Sequence, residues 1–565
     1  MQKKFPLLKA LAVLFTTAFF CAKMNAQTPL PKVYVNANIT TNTTWTANKI
    51  WYLRNKIYVT NGATLTIEPG TVIVGDTIKK GSLIITRGAK IMAVGTPCQP
   101  IVFTSAKNKG SRARGDWGGV ILLGYAHTNS PGDTNHIEGI DPIPNTLYGG
   151  GKNPNCGGGD CPNDADNSGT MRYVRIEFAG VALSPNNEIN GLTFGGVGSG
   201  TTIDHIQVSF SNDDSYEWFG GKVNVKYLVA FRGIDDDFDT DQGYSGKGQF
   251  LVALRDPKVA DVSGSHGFES DNDATSSTNT PQTTAIFSNV TDVAGGDTTA
   301  NIYYDAGALI RRNSNEYVLN SIVMGWPRGI IIDGTTTATN VLSDTMVMNN
   351  IIATTQVSNR IISTPDNPSV DNLLLSHAGN KFYKGNSGVK LRSPYNLTGP
   401  KFWPITGSPA NGTANFNHAV LKDPFFTKVG YIGAFSKDST QDWTKTWTNW
   451  NPNGTDYRFG VPSGNGCPGK AEFADNTEET SAAPIADAKV SPNPSNGSFS
   501  LEVKGFSADK LDIKVAALNT GKVYLVGKVT NNTTNRINVK APNGNYVVEI
   551  TDGKTVISRK ITVLN

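Results

Sequence analysis

From Ile57 onward the chain is cut into apolar pieces of three to five residues separated by glycine turns, and this grammar restricts the fold more than any other feature. Ile57-Tyr58-Val59, Ala63-Thr64-Leu65-Thr66-Ile67, Val72-Ile73-Val74, Leu83-Ile84-Ile85, Lys90-Ile91-Met92-Ala93, Ile101-Val102-Phe103 and Val120-Ile121-Leu122-Leu123 follow one another with no amphipathic helix between them. A doubly wound sheet needs such helices, so that class is excluded. With 59 glycines and 29 prolines in 565 residues, turn formers exceed what a helical protein tolerates. One compact core is not expected at this length; an elongated repeat or several domains are.

The same phrases continue at wider spacing in Tyr173–Phe178, Ile203–Val208, Val225–Val229 and Gln249–Leu254. The expected fold is all-β: a right-handed parallel β-helix over residues 27–374, followed by a small antiparallel β-sandwich. A solenoid buries a thin continuous core, which accounts for a hydrophobic fraction of only 38%. Ile286–Val290, Leu319–Val323 and Met348–Ile352 share a bulky-polar-polar-aliphatic phrase whose side-chain amides are expected to stack coil over coil. A β-propeller would need regular hairpin signals, and too few are present.

Residues 375–468 lose the rhythm and gain aromatics, which suggests a cap or side region. Trp443, Trp447 and Trp450 are spaced to share one face if helical. They offer two readings: exposed indoles that bind ligand by stacking on sugar rings, or anchors that pin a cap over the open end of the solenoid. Residues 469–487 are polar and read as a linker. Clear alternation returns in Gly497–Val503, Lys510–Val515, Asn545–Ile550 and Lys560–Leu564, the half-buried strands of a sandwich over 488–565.

Residues 1–26 have a lysine-rich start, an apolar stretch through Phe20 and Met24-Asn25-Ala26 before Gln27, the layout of a secretory signal peptide. Phe19 and Phe20 stand where a lipoprotein signal would place small residues before Cys21. No later segment approaches the ~20 apolar residues of a membrane span, so no transmembrane segment is expected. Export suits the remaining cysteines: Cys156 and Cys161 bracket a tight loop that can close as a disulfide, which would leave Cys98 and Cys467, although four cysteines permit three pairings. The 51 basic and 47 acidic residues leave a charge of +4, all of it matched by Lys3, Lys4, Lys9 and Lys23 in the leader. No nucleic-acid partner is expected.

Two resemblances become specific at this point. Ser491-Pro492-Asn493-Pro494 with Gly497, Gly544-Asn545-Tyr546-Val547-Val548 and the closing Lys560-Ile561-Thr562-Val563 resemble the C-terminal sorting domain of type IX secretion cargo. That resemblance implies the type IX translocon as partner and a destination outside a Gram-negative cell, secreted or on its outer surface. Gly62–Gly70, Pro100–Ser105, Asp116-Trp117-Gly118-Gly119, Asn187–Thr193 and Tyr216–Gly221 resemble a family of secreted β-helix proteins related in fold to pectin lyases. That second resemblance implies shape and export more than chemistry.

The charge is unevenly spread. Between Asn212 and Asp241 eight acids (Asp213, Asp214, Glu217, Asp235, Asp236, Asp237, Asp239, Asp241) face only Lys222, Lys226 and Arg232. Asp213-Asp214 and Asp235-Asp236 follow equivalent strands one solenoid turn apart, which would set them on adjacent rungs about 5 Å apart. Like charges so placed repel by roughly 3 kcal/mol per pair at an effective dielectric near 20. Either a hard cation, Ca²⁺ above all, sits among Asp213, Asp214, Glu217, Asp235, Asp236, Asp239 and Asp241, or some of them are protonated as catalytic carboxylates can be, or the loops diverge and the acids form a solvated face. Glu269, Asp271 and Asp273 extend the pattern. Asp164-Ala165-Asp166-Asn167-Ser168-Gly169 copies the opening of a calcium loop but has Arg175 at the twelfth position, so a full EF-hand is excluded.

The expected function is that of a non-enzymatic, glycan-binding or adhesin-like surface protein carrying calcium, with polysaccharide as the candidate partner. The alternative is a calcium-dependent polysaccharide lyase with Lys247, Arg255 or Arg232 as base, or an inverting glycosidase using Asp214, Asp235, Asp236 and His266.

Overall fold

The computed structural model describes residues 28–152, 156, 159–184, 187–295, 301–355, 360–462, 467, 487–517, 522–553 and 556–564. The expected leader, 1–26, lies outside the described residues, as does all but the last residue of the expected linker. The chain divides into two compact units, 1–468 and 469–565.

In the first unit the short apolar pieces become parallel strands, because each coil carries the chain round in the same sense before it pairs with the one before. One face is a ten-stranded parallel sheet running from Lys56–Val59 through Ser82–Ile85, Val120–Leu123, Leu192–Gly195, Tyr216–Phe219, Phe238–Asp241, Ser265–Ser270, Tyr304–Ile310 and Arg328–Asp333 to Ile361–Thr364. The other two faces begin as separate strands. Lys90–Val94 and Ile101–Ser105 pair with the first and second halves of Gly169–Glu177, and the following coils cross both faces in single bent strands, among them Thr202–Ser209, Asn224–Phe231, Lys247–Leu254 and Ile286–Val293. Inward side chains such as Leu83, Val120, Phe194, Trp218, Phe238 and Phe268 line the thin core.

The bend falls on one residue per coil. Tyr173, His205, Tyr227, Phe250, Asn289, Asn320 and Asn349 are left-handed, with φ of 50°, 53°, 57°, 61°, 56°, 48° and 57°. Asparagine accepts this conformation readily, whereas an aromatic residue does so at a cost. The rings compensate by stacking: Tyr173 to His205 and His205 to Tyr227 at 4.5 Å, Tyr227 to Phe250 at 5.3 Å. In the later coils the expected amide stacking is present, with Asn349 Nδ2 donating to Asn320 Oδ1 at 2.7 Å.

The open end of the core is closed by two helical turns, Pro368–Asn372 and Leu373–His377, whose Val370 and Leu374 enter it. The aromatic segment beyond adds Leu421 and Phe426 to the same core. It runs back along the bent corner as a strap: Asn349 Nδ2 donates to Thr413 O, Asn320 Nδ2 to Asn415 O, Asn289 Nδ2 to Tyr431 O and Gln207 Nε2 to Asn449 O, at 2.9–3.0 Å. It reaches the first coils, where Leu30 N donates to Arg458 O at 2.8 Å, and a disulfide joins Cys98 to Cys467 across a sequence separation of 369. The second disulfide is Cys156–Cys161.

The tryptophans belong to the strap, and residues 443–450 form turns rather than a helix. Trp447 is buried and its indole N–H donates to Trp443 O; the Trp443 N–H donates to Ala434 O; Trp450 packs edge-on against Phe231 at 5.0 Å. Trp447 therefore presents no face to a sugar, and the three residues pin the strap to the flank of the coil rather than to its end.

In the second unit, Asp487–Ser491, Ser498–Lys504 and Thr533–Asn538 form one antiparallel sheet. Val523–Thr530, Lys510–Ala517, Gly544–Thr551 and Val556–Val563 form the other. Phe499, Leu501, Val503, Leu511, Ile513, Val548, Ile550 and Ile561 fill the space between them, as the period-two alternation requires.

Candidate functional site

Three consecutive strands of the ten-stranded sheet carry the acids. Their register aligns Tyr216 with Phe238 and Phe268, and Glu217 with Asp239 and Glu269. The aromatics point into the core, with ring centroids 5.8 and 5.3 Å apart, so alternation sends the carboxylates outward as a single row. Phe219 and Asp241 form the next outward pair.

The turns that lead into these strands stack as well. Ile234 N donates to Ser211 O at 3.1 Å and Ser215 N to Asp236 O at 2.9 Å, while Asp236 N donates to the side chain of Asp214, Oδ1, at 2.7 Å. In the next coil the imidazole Nδ1 of His266 lies 3.1 Å from Asp236 Oδ1 and 3.2 Å from Glu269 Oε2, and its Nε2 lies 3.3 Å from Asp305. The aspartate turns at 213–214 and 235–236 thus lie directly over one another.

Three sets of side chains each bring their ligand atoms within 4.8 Å of one another: Asp213, Asp214 and Asp235; Asp214, Glu217 and Asp239; Asp236, His266 and Glu269. Of the residues that sequence nominates, these groups take in Asp213, Asp214, Glu217, Asp235, Asp236 and Asp239; Asp241 stands further along the same strand. Glu138 and Glu188, which sequence reasoning missed, also face the row: burial pushes Glu138 up to about 7, and Glu188 adds to the push. Neither carries a spacing signal: Glu138 lies in a turn and Glu188 in the short strand Asn187–Ile189 of an antiparallel hairpin outside the parallel sheets.

Cations answer only part of this charge. Arg311 bridges Glu269 and Asp271, Arg312 reaches Asp271 at 2.6 Å, and Arg255 lies 3.2 Å from Asp237. Burial opposes ionisation of Glu269, but hydrogen bonding from His266 and the charges of His266 and Arg311 outweigh it and hold that carboxyl low. The others go the opposite way. Burial, then mutual repulsion, pushes Asp213, Asp214, Glu217, Asp235 and Asp239 well above the carboxylate range, and burial with Asp271 pushes Asp241 up to about 8. Asp235 Oδ1 and Asp239 Oδ1 are buried and, among the described residues, have no hydrogen-bond partner.

The three candidate bases are engaged elsewhere. Lys247 pairs with Asp423 of the strap at 3.0 Å, Arg232 with Asp256 at 2.6 Å, and Arg255 is buried against Asp237. Asp273 bonds its own turn through Thr275. In the segment resembling a calcium loop, Asp164 is held by His127 and Lys222, each at 2.8 Å, and Asn167 accepts from Gly169 N. Asp164 thus ties this segment to neighbouring parts of the coil, Asn167 bonds its own turn, and Asp166 Oδ2 is buried without a hydrogen-bond partner among the described residues.

A parallel coil with an acid row on one outer face, followed by an antiparallel sandwich, defines a β-helix protein with a separate C-terminal module. The model of a pectate-lyase-like β-helix domain matches residues 37–393, and the chain belongs to that family. A secretion system C-terminal sorting domain, of the type IX system, matches residues 489–564 and marks the chain for export to the cell surface or beyond. No curated protein matches the chain significantly. No helix among the described residues is long and apolar enough to cross a membrane.

Proposed function

We propose that the β-helix body is a non-enzymatic, glycan-binding surface protein of adhesin type whose acid row holds Ca²⁺. The carrying observation is the coil-over-coil stack of Asp213, Asp214, Glu217, Asp235 and Asp239 with carboxylate oxygens left unpartnered at Asp235 and Asp239. Oxygen-only donors in a group of three or more suit a hard cation. Ca²⁺ takes six to eight oxygens, more than three carboxylates supply singly. Asp213, Asp235 and Asp239 are only half-buried, so the remaining positions would lie open to water or to sugar hydroxyls. The engagement of Lys247, Arg232 and Arg255 in other pairs favours binding over a lyase reaction, which needs a free base beside the cation.

The test is retention of the mature body on immobilised polysaccharides with and without Ca²⁺, with assays for new reducing ends and unsaturated uronates alongside. Calcium-dependent retention without products is expected. Product formation that Asp235→Asn abolishes without lowering the melting temperature would replace this reading with an enzymatic one.

A further inference from the structure

Of the three ligand sets on this face, one is chemically unlike the others: Asp236, His266 and Glu269 bring a nitrogen together with two oxygens. A strand irregularity builds it. Ser265 pairs with Tyr304 but His266 pairs with Ala306, so Asp305 is an extra residue in its strand, a β-bulge, and its carboxylate arrives beside the imidazole. Gly267 follows where no side chain fits, since a Cβ there would lie 2.1 Å from Asp292 Oδ2.

His266 is 3% exposed, and both of its nitrogens face carboxylates. Nδ1 lies 3.1 Å from Asp236 Oδ1 and 3.2 Å from Glu269 Oε2, and Nε2 lies 3.3 Å from Asp305 Oδ2. Two of these carboxylates are aimed by guanidinium groups. Arg311 holds Glu269 Oε1 and leaves Oε2 toward His266, while Arg328 holds Asp305 Oδ1 and leaves Oδ2 toward Nε2. An imidazolium has one proton on Nδ1 and two acceptors facing it, so it satisfies one carboxylate and leaves the other short. A metal ion shared by the Nδ1 lone pair and the two oxygens satisfies all three. Ligands about 2.0–2.2 Å from an ion stand about 2.9–3.6 Å from one another in octahedral or tetrahedral geometry. The separations of 3.1 and 3.2 Å fall in that range. With Nδ1 as ligand, Nε2–H donates to Asp305, and a carboxylate behind a metal-bound histidine fixes its tautomer and ring orientation.

We propose that Asp236, His266 and Glu269 form a second metal centre, for a divalent transition ion of the Zn²⁺ type, with Nδ1 and one oxygen of each carboxylate as ligands and Asp305 as the positioning residue behind the imidazole. Ca²⁺ selects oxygen, whereas imidazole suits Zn²⁺ and its neighbours, so ligand chemistry separates this centre from the oxygen-only sets beside it. None of Asp213, Asp214, Glu217, Asp235 and Asp239 is used, so the centre does not depend on the calcium reading.

The test keeps excess Ca²⁺ present throughout. The full chain, stripped with EDTA and returned to Ca²⁺ buffer, is titrated with Co²⁺ under visible absorption, then with Zn²⁺ under the same readout, and the melting temperature is followed with and without Zn²⁺. One Co²⁺ per chain with d–d bands, displaced by Zn²⁺, and a melting temperature raised by Zn²⁺ beyond Ca²⁺ alone are expected. His266→Gln should lose both the bands and the Zn²⁺ increment. Asp305→Asn should keep the bands but bind Co²⁺ about tenfold more weakly. Absence of bands in wild type, bands that survive His266→Gln, or a Zn²⁺ increment equal in that variant and wild type would overturn the proposal. Should His266→Gln fail to fold by near-ultraviolet circular dichroism, Asp305→Asn decides, and an affinity unchanged from wild type counts against the centre.

Discussion

Asp214 and Asp236 stand 22 residues apart in the chain and one coil apart in space, the side chain of the first accepting the backbone N–H of the second at 2.7 Å. A backbone donor steadies one oxygen of Asp214, but it does not offset the carboxylates of Asp236, Asp213, Asp239 and Asp235 around it.

Calcium should therefore stabilise the body. Scanning calorimetry with Ca²⁺ at about one hundred times its Kd should show about 2.7 kcal/mol more stability than in EGTA. Asp239→Asn should remove most of that increment while raising stability in EGTA, because it deletes a repelled charge. A melting temperature insensitive to chelation would remove calcium from the account.

Glu316 gives a pH dependence apart from the row. It is buried, accepts from Thr240 Oγ1 at 3.0 Å, and is pushed by burial up to about 8 from an ordinary 4.5. The native state keeps this proton while the unfolded chain releases it, so the contribution of Glu316 to stability is full below pH about 4.5 and falls as pH rises through about 8. Calorimetric comparison with Glu316→Gln should show the variant gaining on wild type by up to about 1.4 kcal/mol per pH unit across that window, with no further gain above it.

The strap should loosen when its amide ladder is cut. Asn320 donates to Asn415 O at 3.0 Å, and its Oδ1 accepts from Asn415 N at 2.8 Å and Asn349 Nδ2 at 2.7 Å, all from a left-handed backbone. Asn320→Ala should cost about 2–4 kcal/mol by denaturant titration. Limited proteolysis should then cut first between residues 413 and 433.

Trp447→Ala should act on stability alone. The side chain is 1% exposed, so truncation should cost about 3–5 kcal/mol. Polysaccharide retention should be unchanged at a temperature where wild type and variant are both folded. A selective loss of retention with little destabilisation would return this tryptophan to a ligand-binding role.

The parallel coil and the acid row were legible in the sequence because both are periodic. Glu217 and Asp239 alternate with Tyr216, Trp218 and Phe238, and the repeat of the Asp-Asp pair matches one coil, so side-chain direction and stacking follow from pattern alone. Glu138 and Glu188 were not legible, since a turn and a short antiparallel hairpin outside the repeating coil bring them to the row. The course of the strap along the side of the coil was not legible for a similar reason. Its contacts are made through backbone carbonyls at Thr413, Asn415, Tyr431 and Asn449, which no side-chain pattern records. The spacing of Trp443, Trp447 and Trp450 mimics a helical face, yet turns and ring packing decide their places. The left-handed corner was visible only in part: asparagine at 289, 320 and 349 announces it, whereas Tyr173, His205, Tyr227 and Phe250 conceal it.

A stack of coils held only by neighbours can fray from either terminus, each lost coil exposing the next. Here the Cys98–Cys467 bond fastens the far end of the strap to an early coil, and the strap touches most of the coils between. The body is thereby closed into a circuit, and peeling one terminal coil means dragging a belt that grips the rest. Such a molecule should melt in one step rather than unzip, and reduction of that single bond should turn the sharp transition into a gradual one.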